Sequence, residues 1–112
     1  MVRVVITGVT GFIGSQLAKR LIEQGYDVYG LIRPCASRSF KPIEDLLNKV
    51  VLLTCDITNY ISAFHALKTA NPDCVCHLAA LTPVRLSFER PADYEQINYV
   101  GTMNIAHTMM EL

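Results

Sequence analysis

Short apolar runs alternate with amphipathic stretches along this chain. Residues 2–6, 28–32, 50–54 and 74–78 are apolar runs of the length that is typical of buried parallel strands. The stretches between them have helical spacing, as in residues 11–23, where apolar and charged side chains fall on opposite sides. Strands that alternate with helices predict an α/β protein, with a parallel sheet covered by helices on both faces.

The remaining connections follow the same order. A second helix is expected to start near Asp56 or Thr58 and to end by about residue 70, and residues 43–48 are a candidate short helix. Residues 82–88 are expected to be a loop or a short helical turn, and a long helix with proline at its first position is predicted over residues 91–112. Right-handed crossovers then allow the strand order 3-2-1-4, the first half of a doubly wound sheet.

Composition narrows the class of protein. Hydrophobic residues make up 51% of the 112 residues and charged residues 18%, which excludes intrinsic disorder. Ten Lys and Arg residues balance ten Asp and Glu residues without a basic stripe, so no nucleic-acid partner is expected. No apolar run has the length of a membrane span and no signal peptide is visible, so we expect a cytoplasmic protein with reduced cysteines.

The length allows a single domain, residues 1–112. The chain is rich in apolar residues for its size, and its fourth strand would leave an apolar edge exposed. We therefore expect an incomplete sheet, the N-terminal portion of a longer protein whose substrate domain is absent here. The alternative is a small natural domain that pairs with a second copy through that edge.

A glycine-rich turn lies between the first strand and the first helix, and it reads Thr7-Gly8-Val9-Thr10-Gly11-Phe12-Ile13-Gly14. Gly8 lets the chain leave the strand sharply, Gly11 lets a pyrophosphate approach the backbone, and Gly14 lets the helix pack close to the sheet. The free N–H groups and the helix dipole at residues 11–13 would then bind phosphate. This strand-turn-helix context predicts a Rossmann-type dinucleotide site, with a purely structural tight turn as the alternative.

Three later motifs agree with the turn and come in order across the chain. They are Asp56-Ile57-Thr58, then His77-Leu78-Ala79-Ala80, then Ser87-Phe88-Glu89-x-Pro91 followed by Asn98-x-x-Gly101-Thr102-x-Asn104. Together the four motifs resemble the extended short-chain dehydrogenase/reductase family, which contains the nucleotide-sugar epimerases and dehydratases. The stretch at residues 25–33 and Ser-Phe-Glu-x-Pro look most like GDP-mannose dehydratases, with UDP-glucose 4-epimerases as close alternatives.

One segment departs from the dehydratase pattern. Sugar-nucleotide dehydratases often carry Ser-His-Val-Asp-Arg-Ser after the His-Leu-Ala-Ala motif, whereas residues 82–87 read Thr-Pro-Val-Arg-Leu-Ser. Those positions flank the active site in the family. Epimerase or reductase activity is therefore as consistent with the chain as dehydratase activity.

The resemblance implies roles for several residues at the strand ends. In the family, the carboxylate matching Asp56 accepts a hydrogen bond from the adenine amino group, and the residue matching Ile57 packs on the ring; a helix N-cap is the alternative for Asp56. The small residues Ala79 and Ala80 would let ribose and nicotinamide approach the sheet, unless they serve a close helix–sheet contact. The residue matching Asn98 lies near the cofactor.

The choice between NAD and NADP depends on the end of the second strand. Asp27 lies 19 residues after Gly8 but precedes the strand, so it is at the wrong end to hold a ribose hydroxyl. Arg33 follows the strand, and its guanidinium suits a 2′-phosphate. NADP is therefore favoured. NAD stays possible if Arg33 stacks on adenine or is solvated.

The chain lacks the catalytic pair that the resemblance implies. The family uses Ser or Thr with a Tyr-x-x-x-Lys pair, and none of the five tyrosines here has Lys four residues later. We therefore predict no catalytic residue within these residues. The complete protein is expected to be a homodimeric enzyme acting on a nucleotide sugar by transient hydride transfer; a non-catalytic dinucleotide sensor is the rival.

The histidine and the two cysteines of the fourth strand are predicted to have no catalytic or metal-binding role. His77 is predicted to be a hydrogen-bonded core histidine, and Cys74-x-Cys76-His77 lacks a full ligand set, so no metal site is predicted. The predicted cofactor-binding residues are Gly8, Thr10, Gly11, Phe12, Ile13, Gly14, Arg33, Asp56, Ile57, Leu78, Ala79, Ala80 and Asn98.

Overall fold

The computed structural model of the chain describes residues 1–34, 40–80 and 84–112, and for residues 84–86 it describes the backbone alone. The first residues of the predicted 82–88 connection therefore lie outside the described residues. The same holds for the side chains of residues 82–86, which belong to the segment that departs from the dehydratase pattern.

A parallel sheet forms the centre of the described structure. Its strands are β1 (Arg3–Thr7), β2 (Asp27–Ile32), β3 (Val51–Thr54) and β4 (Cys74–His77), in the order β3-β2-β1-β4. All three strand pairs are parallel. The predicted order 3-2-1-4 is confirmed, and the predicted strand bounds differ by one residue at most.

Helices connect the strands and continue beyond the last one. They are α1 (Phe12–Glu23), α2 (Tyr60–Ala70), α3 (Val84–Glu89), α4 (Pro91–Tyr94) and α5 (Gly101–Glu111), with a 3₁₀ helix at Lys41–Leu46. A π-helical segment, Glu95–Val100, joins α4 to α5. The long helix predicted from Pro91 is therefore present, but its register shifts inside the π segment.

Alternate residues of β1 point into two separate cores. Val5 packs with Leu67 of α2 and Ile105 of α5 on one face of the sheet. Val4 and Ile6 pack on the other face, where α1 and the 3₁₀ helix cover the sheet. The predicted two-faced α/β arrangement is confirmed, because the central strand β1 buries side chains on both of its sides.

The helix ends follow from local chemistry. Gly25 has a φ of +89° just after α1, a conformation that a glycine adopts without a steric penalty. The start of α2 differs from the prediction, which placed the N-cap at Asp56 or Thr58. The N-cap is Asn59, whose side-chain oxygen accepts the N–H of Ser62 at 3.1 Å. Asp56 lies three residues before this cap, and its Oδ1 accepts hydrogen bonds from the N–H and the hydroxyl of Thr58.

Candidate dinucleotide-binding site

A cleft of about 550 Å³ opens where the strands end at the carboxyl edge of the sheet. Parallel strands bring their carboxyl ends to one edge, which is where open α/β sheets bind ligands. The lining residues are Thr7, Gly8, Thr10, Gly11, Leu31, Ile32, Arg33, Cys55, Asp56, Ile57, Thr58, Leu78, Ala79, Ala80, Asp93, Gln96 and Ile97.

The glycine turn forms the floor of this cleft. The N–H of Gly11 donates to the carbonyl of Gly8 at 3.0 Å, and Gly8 has a φ of +71°. A Cβ on Gly8 would lie 2.9 Å from the backbone nitrogen of Ala79, so the turn packs directly on the segment after β4. A Cβ on Gly14 would overlap the Gly8 carbonyl oxygen, which brings α1 against its own turn.

The amino end of α1 faces this turn without a side-chain cap. Gly11 is the N-cap residue and makes no side-chain hydrogen bond, since it has no side chain. Phe12 and Ile13 follow with 83% and 67% of their surfaces exposed, and neither side chain lines the cleft. The orphan N–H groups of a helix start, together with the helix dipole, are the usual partners of an anion.

Asp56 is held in one orientation at the end of β3. Its Oδ1 accepts the N–H of Thr58 at 3.0 Å and the hydroxyl of Thr58 at 2.6 Å. Its own N–H donates to Ser62 Oγ at 2.9 Å. Within the described part of the chain Oδ2 accepts no hydrogen bond, so this oxygen is available to a ligand in the cleft.

Charged side chains lie at both ends of β2. Arg33 follows the strand, is exposed and lines the cleft. Asp27 starts the strand, and its carboxylate pairs with the guanidinium of Arg3 at 2.7 Å. The two residues therefore lie at opposite edges of the sheet, and the exclusion of Asp27 from the site agrees with this geometry.

The segment after β4 supplies the small residues of the cleft, Ala79 and Ala80. His77 precedes them, is half-buried and hydrogen-bonds to Thr7 and Thr102. Burial lowers the pKa of His77. The predicted hydrogen bonds of His77 are present, but the residue is half-buried and does not lie in the core, and it does not line the cleft.

Most of the predicted cofactor-binding residues surround the cleft, but Phe12, Ile13, Gly14 and Asn98 do not line it. The sequence prediction also missed lining residues on the last long helix, Asp93, Gln96 and Ile97. Asp93 belongs to α4, whereas Gln96 and Ile97 belong to the π segment. The sequence signal for this part of the site was the predicted cofactor residue Asn98, which lies one residue after Ile97 and two after Gln96.

The cysteines form no cross-link or metal centre in the described residues. Cys55, Cys74 and Cys76 are free thiols, and no cluster of three or more potential ligands occurs among the residues described. Burial raises the pKa of Cys55, which lies at the wall of the cleft, so its thiol stays protonated near neutral pH. None of the described helices has the length and apolar character needed to cross a membrane.

The fold and the cleft define an α/β protein with a doubly wound type of sheet and an open site at its carboxyl edge, and sequence comparison specifies the family. The family model for GDP-mannose 4,6 dehydratase matches residues 5–112. The chain therefore belongs to the GDP-mannose 4,6 dehydratase family. The resemblance predicted from the motifs is confirmed.

The relatives include both dehydratases and epimerases. "GDP-mannose 4,6-dehydratase sdnI" from Sordaria araneosa is 36% identical over 104 residues, covering 93% of this chain and 19% of that protein. "Probable UDP-glucuronate 4-epimerase" from Rhizobium meliloti is 34% identical over 109 residues, covering 92% of this chain and 32% of that protein. The chain thus spans a third or less of the length of these relatives.

Solved structures share the fold. UDP-glucose 4-epimerase from Thermotoga maritima, solved with UDP-glucose, has a TM-score of 0.86 and 26% identity, covering 97% of this chain and 34% of that one. UDP-glucose 4-epimerase from Thermus thermophilus, solved with NAD, has a TM-score of 0.84 and 27% identity, covering 95% of this chain and 33% of that one.

Proposed function

We propose that residues 1–112 are the NAD(P)-binding portion of a nucleotide-sugar epimerase or dehydratase. The observation that carries the proposal is the cleft at the carboxyl edge, whose floor is the glycine turn that opens α1. Family membership and the NAD-containing neighbour support the same class of ligand.

The described residues fit the chemical groups of a nicotinamide dinucleotide. The uncapped N–H groups at the start of α1 would bind the pyrophosphate, because helix starts attract anions. The free Oδ2 of Asp56 would accept the adenine amino group, and Ile57 beside it would pack on the ring. Ala79 and Ala80, which are small and line the cleft, would leave room for the ribose and nicotinamide.

Between the two dinucleotides, the proposed cofactor is NADP. Arg33 lies at the cleft and after β2, where the adenine ribose would be bound. Its guanidinium can form a charge-assisted, bidentate contact with a 2′-phosphate. NAD remains the alternative, since the comparisons do not separate the two.

The proposed reaction acts on a sugar hydroxyl of a nucleotide sugar. The bound nicotinamide would accept a hydride from the hydroxyl-bearing carbon and return it after epimerisation or loss of water. Residues 1–112 contain no Tyr-x-x-x-Lys pair. We therefore assign proton transfer to residues of the complete protein outside this range, and positioning of the dinucleotide to the residues described here.

The test is a product assay with the complete protein. GDP-mannose and UDP-glucose are incubated separately with the protein and NADP or NAD, and products are separated by chromatography and weighed by mass spectrometry. Loss of one water from the sugar identifies a dehydratase, and a new isomer of equal mass identifies an epimerase. Absence of any product from both substrates and other nucleotide sugars, despite saturable dinucleotide binding, would favour a dinucleotide sensor.

A homodimer in the cytoplasm is also proposed for the complete protein, by analogy with the family. Light scattering after size exclusion measures the mass directly. A monomer across the working concentration range would contradict the dimer without affecting the proposed cofactor site.

A further inference from the structure

Thr7, at the end of β1, is a hydrogen-bonding hub under the cleft. Its Oγ1 accepts the backbone N–H of Leu78 at 2.9 Å and that of Ala79 at 3.0 Å. The same oxygen lies 2.7 Å from His77 Nδ1. One hydroxyl therefore ties the end of β1 to three consecutive residues that leave β4.

The other side of the His77 ring reaches the last long helix. His77 Nε2 lies 2.9 Å from Thr102 Oγ1, and the Thr102 hydroxyl donates to the carbonyl of Asn98 at 2.7 Å. Asn98 lies in the π segment, two residues after Gln96, which lines the cleft. The imidazole thus bridges the strand end and the helix that closes the cleft.

The donor and acceptor capacity of each group fixes where the protons lie. A hydroxyl has one proton and two acceptor sites. Both acceptor sites of Thr7 Oγ1 are used by backbone N–H groups, so its proton must go to His77 Nδ1, which must then be unprotonated. A neutral ring carries its proton on Nε2 and donates it to Thr102, whose own proton is already directed to Asn98.

We propose that His77, as the neutral ring protonated on Nε2, is a positioning residue that holds the segment after β4 and the π segment at the separation a bound dinucleotide requires. Neither His77 nor Thr102 lines the cleft, whereas Leu78, Ala79 and Gln96 do. The expected effect on dinucleotide affinity rests on the proposed function, whereas the placement of the proton on His77 Nε2 does not depend on it.

Protonation of the ring would dismantle the network. An imidazolium presents a donor at Nδ1 to a hydroxyl whose acceptor sites are already occupied. The elements packed against His77 present uncharged partners to its ring, Thr7 from β1 and Thr102 from α5. Its titratable neighbour Cys76 lies on the opposite face of β4, because successive residues of a strand point to opposite faces. Burial lowers the pKa of His77, so the network persists at neutral pH and is lost as the pH falls through that lowered value.

Two measurements on the complete protein test the proposal. The first is nitrogen-15 NMR of histidine-labelled protein, with His77 assigned from a His77→Asn variant. We expect a neutral ring at pH 7 with the proton on Nε2. We also expect Thr7→Val to raise the pKa of His77, because the donor to the neutral ring is removed, whereas Thr7→Ser leaves that pKa near the wild-type value.

The second measurement compares dinucleotide affinity in two variants of Thr102, an exposed residue whose substitution leaves the core intact. Thr102→Val keeps the shape and removes the hydroxyl, and we expect affinity for NADP or NAD to fall about three- to tenfold. Thr102→Ser keeps the hydroxyl, and its affinity should stay within about twofold of wild type.

The outcomes separate this proposal from the proposed function. A proton on Nδ1, an imidazolium at pH 7, or equal affinity in the Val and Ser variants would each overturn it. If the wild-type protein binds neither dinucleotide, the proposed function fails. The NMR result and the matched Thr7 pair then still decide whether His77 is held as inferred.

Discussion

Gly14 occupies a place in the turn that no side chain can share. A Cβ there would overlap backbone atoms of Gly8, which cannot move without displacing the turn from the segment after β4. We expect Gly14→Ala to lower the free energy of unfolding by about 3 kcal/mol and to abolish dinucleotide binding. Urea denaturation and calorimetric titration measure the two effects.

Gly25 provides the matched control. It has a φ of +89°, and a Cβ at this position would meet no atom within 4 Å. Gly25→Ala should therefore cost about 1 kcal/mol from backbone strain alone and leave dinucleotide affinity unchanged. Equal losses in the two variants would show that close packing at Gly14 does not shape the site.

Arg33 carries the proposed preference for NADP. Charge reversal in Arg33→Asp should reduce NADP affinity at least about tenfold and leave NAD affinity equal or higher, because a carboxylate repels a 2′-phosphate and accepts a ribose hydroxyl. Lys49→Asp makes the same charge change at an exposed residue outside the cleft. If both variants keep the wild-type ratio of affinities, Arg33 does not contact the 2′-phosphate.

The position of a residue was predictable where it follows from the end of a strand. Arg33, Asp56 and Ala79 follow the carboxyl ends of their strands, so the sequence pattern alone brings them to one edge of the sheet. The use of Asp56 Oδ1 by Thr58 could not be foreseen, because a short loop of polar residues allows several hydrogen-bond patterns. The same uncertainty concealed Asn59 as the helix cap.

Among the elements, the helical run from Pro91 to Glu111 was only partly predictable from the sequence pattern. Its start and extent were predictable from proline and apolar spacing. The π segment was not, because a change from i+4 to i+5 hydrogen bonds leaves no mark in the composition. Gln96 and Ile97 of this segment line the cleft, while the predicted Asn98 does not.

Two residues hold this helical run against the loop after β3. Gly101 lies so close to Ile57 that a Cβ would come within 2.7 Å of Ile57 Cδ1, and the Asn104 side chain donates to the Ile57 carbonyl at 2.8 Å. This pairing explains two positions of the motif on which the family resemblance was based. The motif fixes the helix beside the residue expected to pack on adenine.

Removing the amide should loosen that contact. We expect Asn104→Ala to lower the free energy of unfolding by about 1 kcal/mol, the usual worth of one hydrogen bond, and to weaken dinucleotide binding severalfold. Met103→Ala changes an exposed neighbour on the same helix and should stay within about 0.5 kcal/mol of wild type. Thermal or urea denaturation of both variants checks the difference, and an unchanged Asn104→Ala protein would contradict it.

At the scale of the whole sheet, the fold was predictable because the separate sequence patterns all indicate the same topology. Apolar runs, amphipathic stretches and turn glycines all indicate parallel strands with right-handed crossovers, and the order β3-β2-β1-β4 follows. The cleft arises from that topology, since the chain leaves β1 toward the face covered by α1 and leaves β4 toward the face covered by α5. The choice of dinucleotide and sugar depends on individual contacts, which topology does not determine.

Calorimetric titration of the complete protein with NADP and with NAD is the most direct test of the proposed cofactor site. We expect saturable binding of one dinucleotide per chain, tighter for NADP, lost in Gly14→Ala and retained in Gly25→Ala. If a folded protein shows no saturable binding of either dinucleotide, the proposed site is wrong and the glycine turn is a structural feature alone.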